Sequence, residues 1–82
     1  MIHELKTWPE YFQAIWRGDK TYEIRKCDRD FRVGDLLLLR EWDLEKYTGR
    51  EIQAGISYKS DGGKWGILEG WCVLGILVFS RK

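Results

Sequence analysis

Cysteine, histidine and proline are scarce in this chain: two Cys, one His and one Pro in 82 residues. Cys27 and Cys72 lie far apart, and His3 is remote from both. No C-x-x-C or H-x-x-x-H pair exists to seed a metal site, so neither a metal nor another cofactor is expected. The G-x-x-x-x-G-K-[ST] phosphate loop and the nucleophile elbow are missing too. Long hydrophobic runs are absent: the longest, Trp71–Phe79, is too short to span a bilayer. Met1 opens on HEL, without the basic-then-apolar run of a secretory leader. A cytoplasmic protein with free thiols is the expectation, with no membrane partner and a monomeric state assumed. Net charge is nearly absent as well, at +1. The total therefore points to neither nucleic acid nor membrane. The distribution is more telling: Arg17–Arg32 holds six basic residues against four acidic, and Asp35–Glu51 five acidic against three basic.

Aromatic residues are what the chain has in quantity: five Trp, four Tyr and three Phe. A chain of this length makes one domain, residues 1–82, and buries only about 60% of its unfolded surface. Aromatics, each burying a large area, supply the density such a small core needs. No repeat, linker or low-complexity segment interrupts it.

Met1–Lys6 alternates as a short strand, with His3 and Leu5 on one face and Ile2 and Glu4 on the other. A helix over about Trp8–Arg17 follows. Thr7 and Glu10 have capping-box spacing, Pro9 suits the first turn, and Gly18 suits a left-handed stop. Trp8, Tyr11, Phe12, Ile15 and Trp16 recur at i, i+3, i+4, i+7 and i+8, a stripe read as core. Cys27–Gly34 is a polar connector anchored by Phe31 and Val33. Leu36–Trp42 reads as a strand buried on both faces at its start, and Asp43–Arg50 as a loop closing on Thr48-Gly49. Glu51–Lys59 alternates with Ile52, Ala54, Ile56 and Tyr58 inward. Ser60–Gly70 reads as a long mobile connection. Trp71–Phe79 reads as a central, doubly buried strand with a bend or bulge at Gly75. One helix and about five strands make an α+β fold: a small, mostly antiparallel β-barrel with the helix across one opening.

The stretch Gly18–Lys26, GDKTYEIRK, concentrates the polar chemistry. A strand there puts Thr21, Glu23 and Arg25 on one face, with Glu23 and Arg25 roughly 7 Å apart and Lys20 at the mouth. Arg25 can grip a phosphate or carboxylate with two N–H groups. Glu23 can accept from a base amino group or take a proton. The same spacing also fits an intrastrand ion pair that merely holds register.

The pattern G-x-K-T-x-E-x-R followed by VGDLLLL resembles the ASCH domains of the PUA-like superfamily. It is closer still to a prokaryotic and phage subfamily, the DUF3850 (ASCH-like) proteins. The residues carrying the resemblance are HELKTWPEYFQAIWRGDKTYEIRKCDRDFRVGDLLLLREWD, then YTGR, then GILEGWCVLGI. The resemblance implies a barrel whose cleft is lined by the GDKTYEIRK strand, and a role in RNA or modified-nucleoside processes. Some ASCH proteins are small amidohydrolases that act on acylated cytidine through a lysine, a threonine and a glutamate. Lys20 corresponds to that lysine. Glu23 stands where the threonine would be, and the later glutamate falls in an insertion this chain lacks.

Around this core of candidates, Lys20, Thr21, Glu23, Arg25, His3, Asp28, Arg29 and Trp65 are the expected ligand-binding residues. His3 could border the cleft or be structural, and Asp28 and Arg29 could rim it. Trp65 could stack on a base or cap the barrel. The leading expectation is an RNA- or nucleotide-binding module. A small amidohydrolase using Lys20 and Glu23, and a protein-interaction module of a phage or mobile element, are the alternatives.

Overall fold

The computed structural model describes all 82 residues. The first strand, β1 (Ile2–Thr7), buries His3, Leu5 and Thr7 and exposes the residues between them, as its alternation dictates. The helix α1 (Pro9–Trp16) begins on Pro9, whose missing N–H costs nothing in a first turn. Its N-cap is Trp8, in extended conformation and without a side-chain cap, so the Thr7–Glu10 capping box does not form. Thr7 is instead the last residue of β1, turned inward. Gly18, at φ +86°, ends the helix as expected, its amide bonding to the Ile15 carbonyl at 3.0 Å. Phe12 and Ile15 are fully buried and Trp16 packs against them. Trp8 and Tyr11 do not join the core: they flank the stripe and remain about half exposed.

Four further strands follow: β2 (Tyr22–Lys26), β3 (Leu36–Trp42), β4 (Tyr47–Asp61) and β5 (Trp71–Arg81). They form one sheet in the order β1-β3-β4-β5-β2, with β1–β3 parallel and the other three ladders antiparallel. The inner face carries Leu37, Leu39, Ile52, Ala54, Ile56, Cys72, Leu74 and Ile76, which meet Phe12, Ile15 and Phe31. The α+β fold with one helix on a curled, mostly antiparallel sheet is therefore present. The barrel, however, is not closed. β1 and β2 are both edges and share no ladder, leaving a half-barrel with a gap between them.

Several local expectations are overturned. The β3–β4 turn lies at Asp43–Lys46, where the Asp43 carboxylate accepts the Glu45 and Lys46 amides at 3.0 and 2.9 Å; Thr48 and Gly49 are strand residues. β3 and β5 are buried on the inner face alone: Leu36, Leu77 and Phe79 are 43%, 61% and 63% exposed. Tyr58 points outward because the register slips between Ile56 and Tyr58, opposite Gly75. One extra residue reverses every later side chain, so Lys59 and Asp61 take the inner positions opposite Leu74 and Cys72. Val33 is exposed, and the connector is anchored by Phe31, with Cys27 packed against the core at its start. The segment after β4 is a tied hairpin loop, held by Gly63 to Ile67, Ile67 to Lys64 and Trp71 to Leu68 backbone bonds.

Candidate functional site

The gap between β1 and β2 is a cleft of about 740 Å³. One wall is the end of β1 (Leu5–Thr7) with Trp8 and Tyr11 of the helix. The other is Lys20 and β2, and Asp28, Arg29 and Phe31 form the floor and rim. That volume falls within the range of small-molecule sites. The period-2 alternation of β2 turns Glu23 and Arg25 to the same side, and the helix stop at Gly18 sets Lys20 beside them. Glu23 is 3% exposed and receives two cations: Lys20 Nζ lies 3.2 Å from one oxygen and Arg25 Nε 2.9 Å from the other. Arg25 also reaches across the open seam, donating to the Lys6 carbonyl at 2.8 Å and the Thr7 hydroxyl at 3.4 Å. Arg29 makes a second crossing to the Glu4 carbonyl at 3.1 Å. Side chains thus take over where backbone pairing fails.

The intrastrand ion pair and the pocket, open alternatives on spacing, coexist. The buried carboxylate orders both cations at the cleft wall. Four basic side chains (Lys20, Arg25, Lys26 and Arg29) line the cleft against two acidic ones, Glu23 and Asp28; Lys6 offers its carbonyl there and turns its ammonium outward over the Trp42 ring, 4.1 Å from the centroid. This excess of two positive charges, in a chain of net +1, favours an anionic ligand. Lys20 Nζ also sits 4.7 Å from the Tyr11 ring centroid and 5.4 Å from that of Tyr22. Trp8 and Tyr11 lie nearly parallel, 6.3 Å apart.

Of the eight expected binding residues, five line the cleft: Lys20, Glu23, Arg25, Asp28 and Arg29. Thr21 is exposed outside it and uses its carbonyl to accept the Ile76 amide at 3.0 Å. His3 is buried away from it, 2.8 Å from the Asp35 carboxylate and packed on Phe31 at 4.7 Å. That hydrogen bond, with a further one from the Arg32 amide, holds the Asp35 carboxyl below the usual carboxylate range. Trp65 neither stacks in the cleft nor caps the sheet: it is 88% exposed at the tip of the β4–β5 loop. Five aromatics not among the expected binding residues do line it: Trp8, Tyr11, Tyr22 and Trp71, each partly exposed, and the buried Phe31. Trp8 and Tyr11 could have been found from their place on the flank of the helical stripe, on the side that leads into the next strand.

Outside the cleft, a second buried carboxylate, Glu41, receives Arg50 Nε and Nη2 at 2.9 Å each and the Thr48 hydroxyl at 2.6 Å. Arg50 in turn donates to Gln13 on the helix at 3.1 Å and stacks near Phe12 and Trp16. Every oxygen is engaged, and the group fastens helix to hairpin. Arg50 pulls the Glu41 carboxyl below its ordinary value. Burial pushes the Cys72 thiol up to about 11, which removes it as a nucleophile near neutrality. No three His, Cys, Asp or Glu side chains are grouped to hold a metal, and no helix is long and apolar enough to cross a membrane.

Comparison with known proteins matches this arrangement to one family. The domain of unknown function DUF3850 matches residues 2–76, a span that holds every residue of the cleft. An uncharacterised 12.9 kDa protein in the GpA 3′ region of Escherichia phage P2 is 40% identical over 73 residues. The match takes in 89% of this chain and 65% of the phage protein, so the chain spans just under two thirds of that relative. With most of its length matched in order, the chain belongs to the DUF3850 family.

Proposed function

We propose that the cleft between β1 and β2 binds RNA or a nucleotide-like ligand. The observation that carries this reading is the coincidence in one cleft of an excess of two positive charges with four partly exposed aromatic rings. A phosphate needs the first, and a base, which stacks on any aromatic face for roughly 1–3 kcal/mol, needs the second. Arg25 and Arg29 supply guanidinium groups at the seam, and Trp8 and Tyr11 supply the rings beside them. The resemblance to ASCH and PUA-like domains supports the same reading. Titrating a short single-stranded RNA, and separately a nucleoside monophosphate, into ¹⁵N-labelled protein tests it. Shifts should cluster at Lys20–Lys26, Arg29 and the Trp8 and Trp71 indoles. Shifts confined to other faces, or none at low salt, would remove the proposal.

The Lys20–Glu23 contact of 3.2 Å favours a second reading, hydrolysis of an acylated nucleoside. An amine and a carboxylate within hydrogen-bond reach are the geometry of a nucleophile with its base. Lys20, as the neutral amine, would attack the acyl carbonyl; Glu23 would take its proton and pass it to the cytidine N4 as the acyl–N4 bond breaks, and water would then cleave the acyl-lysine to the free acid and restore the amine. Incubation with N-acylated cytidines decides it: turnover must vanish in Lys20→Ala and Glu23→Gln, and turnover unaffected by both excludes this mechanism.

A further inference from the structure

Strands that are apolar on both faces belong in sheets covered on both faces. β5 carries no charged residue from Trp71 to Phe79, and β3 opens with four leucines, yet the helix and connector cover the inner face alone. The outer face is left with Ile2, Leu36, Leu77, Phe79 and Tyr58, each between 43% and 69% exposed. The register makes them one continuous band. Ile2 stands beside Leu36, Leu36 beside Gly55, and Gly55 beside Leu77. Phe79 lies over Gly55, and Tyr58 sits opposite Gly75. At roughly 200 Å² for each residue, these exposures leave about 600 Å² of largely apolar surface, the lower end of what one partner gives to a standard stable interface.

We propose that this outer face is the interface of a symmetric dimer, a second copy of the chain packing sheet on sheet against it. The chemistry of the band favours a copy of itself over another partner. Apolar side chains complement each other across a two-fold axis, and the glycines at 55 and 75 keep the floor low for close approach. The charged outer side chains at the end of the band are already paired within the chain: Arg40 lies 2.8 Å from Glu4 and 3.7 Å from Glu51. With Lys6, which lies on the same face over the Trp42 ring, these charges sum to zero, so this end of the band offers no net charge for a nucleic acid or an oppositely charged protein to match. The proposal is independent of what the cleft binds.

Sedimentation velocity on the full chain across the micromolar range tests it. The expected result is a species of twice the chain mass, with Leu77→Lys and Tyr58→Lys each raising the dimer Kd at least about tenfold, since each buries a charge at the interface centre. Neither residue lies in the core, and an unchanged far-UV spectrum confirms the fold in each variant. A monomer at every concentration overturns the proposal. So does a dimer indifferent to both substitutions, which would place the contact at the sheet edges.

Discussion

Replacing Glu23 by Gln should weaken the fold while strengthening the cleft's hold on an anion. Glu23 is the carboxylate between Lys20 and Arg25, its side chain 4% exposed. Gln keeps its shape and removes its charge, leaving two cations facing a neutral amide. Breaking a fully buried pair costs about 3–5 kcal/mol. Lys20 and Arg25 remain 17% and 24% exposed, so water recovers part of that, and a loss of about 1.5–3 kcal/mol is expected. For a domain of this size that corresponds to a fall in Tm of roughly 10–20 °C. The cleft's positive excess rises by one at the same time, so affinity for phosphate-bearing ligands rises. Urea denaturation and calorimetry read the first effect, and phosphate or nucleotide titration reads the second. A double-mutant cycle with Arg25→Met separates the pair from general packing: a coupling of about 1 kcal/mol or more is expected. A loss under about 0.5 kcal/mol with no coupling would mean that the ion pairs are no better than surface ones, and the account of the seam would fail.

Other expectations concern the supporting structure. The Glu41 carboxyl binds a proton less readily folded than unfolded, because Arg50 holds it ionised. Its contribution is therefore complete above about pH 5 and is lost as pH falls through the lowered value. Glu41→Gln should cost about 2 kcal/mol at neutral pH and flatten the acid limb of stability against pH; an unchanged limb would contradict the assignment. Gly62→Ala should cost about 2 kcal/mol or more by urea denaturation, because an added Cβ would run into the Leu68 and Trp71 carbonyl oxygens. A neutral result would mean that the loop repacks freely.

Local patterns in the sequence reach some of this structure and not the rest. The alternation of MIHELK and YEIRK put His3 with Leu5 and Glu23 with Arg25 correctly, because a strand's period of two is set by the backbone alone. Gly18 marked the helix end for an equally local reason. The failures are non-local. A helical stripe shows which residues share a side but not where its margin falls, so Trp8 and Tyr11 read as core when they form the cleft wall. The slip opposite Gly75 reverses Tyr58, and nothing in the spacing of Ile52, Ala54 and Ile56 announces it. The parallel pairing of β1 with β3 decides that the barrel stays open, and it depends on which strands meet in space. His3 finds Asp35, and Glu41 finds Arg50, through that same topology. The cleft's cationic strand was thus readable, while its aromatic wall and open seam required the fold.

On the proposal made above, this seam binds an anionic, base-bearing ligand through Arg25 and its neighbours. The most direct test is the affinity of a short single-stranded RNA, measured over a range of salt for the wild type and Arg25→Ala, with the variant's fold checked by far-UV spectroscopy. Two net positive charges predict a slope of log K against log salt near −1.4, at about 0.7 per phosphate neutralised. Arg25→Ala should lose about tenfold in affinity and make that slope shallower by about 0.7. Salt-independent binding, or equal affinity and slope in a folded Arg25→Ala variant, would contradict the claim.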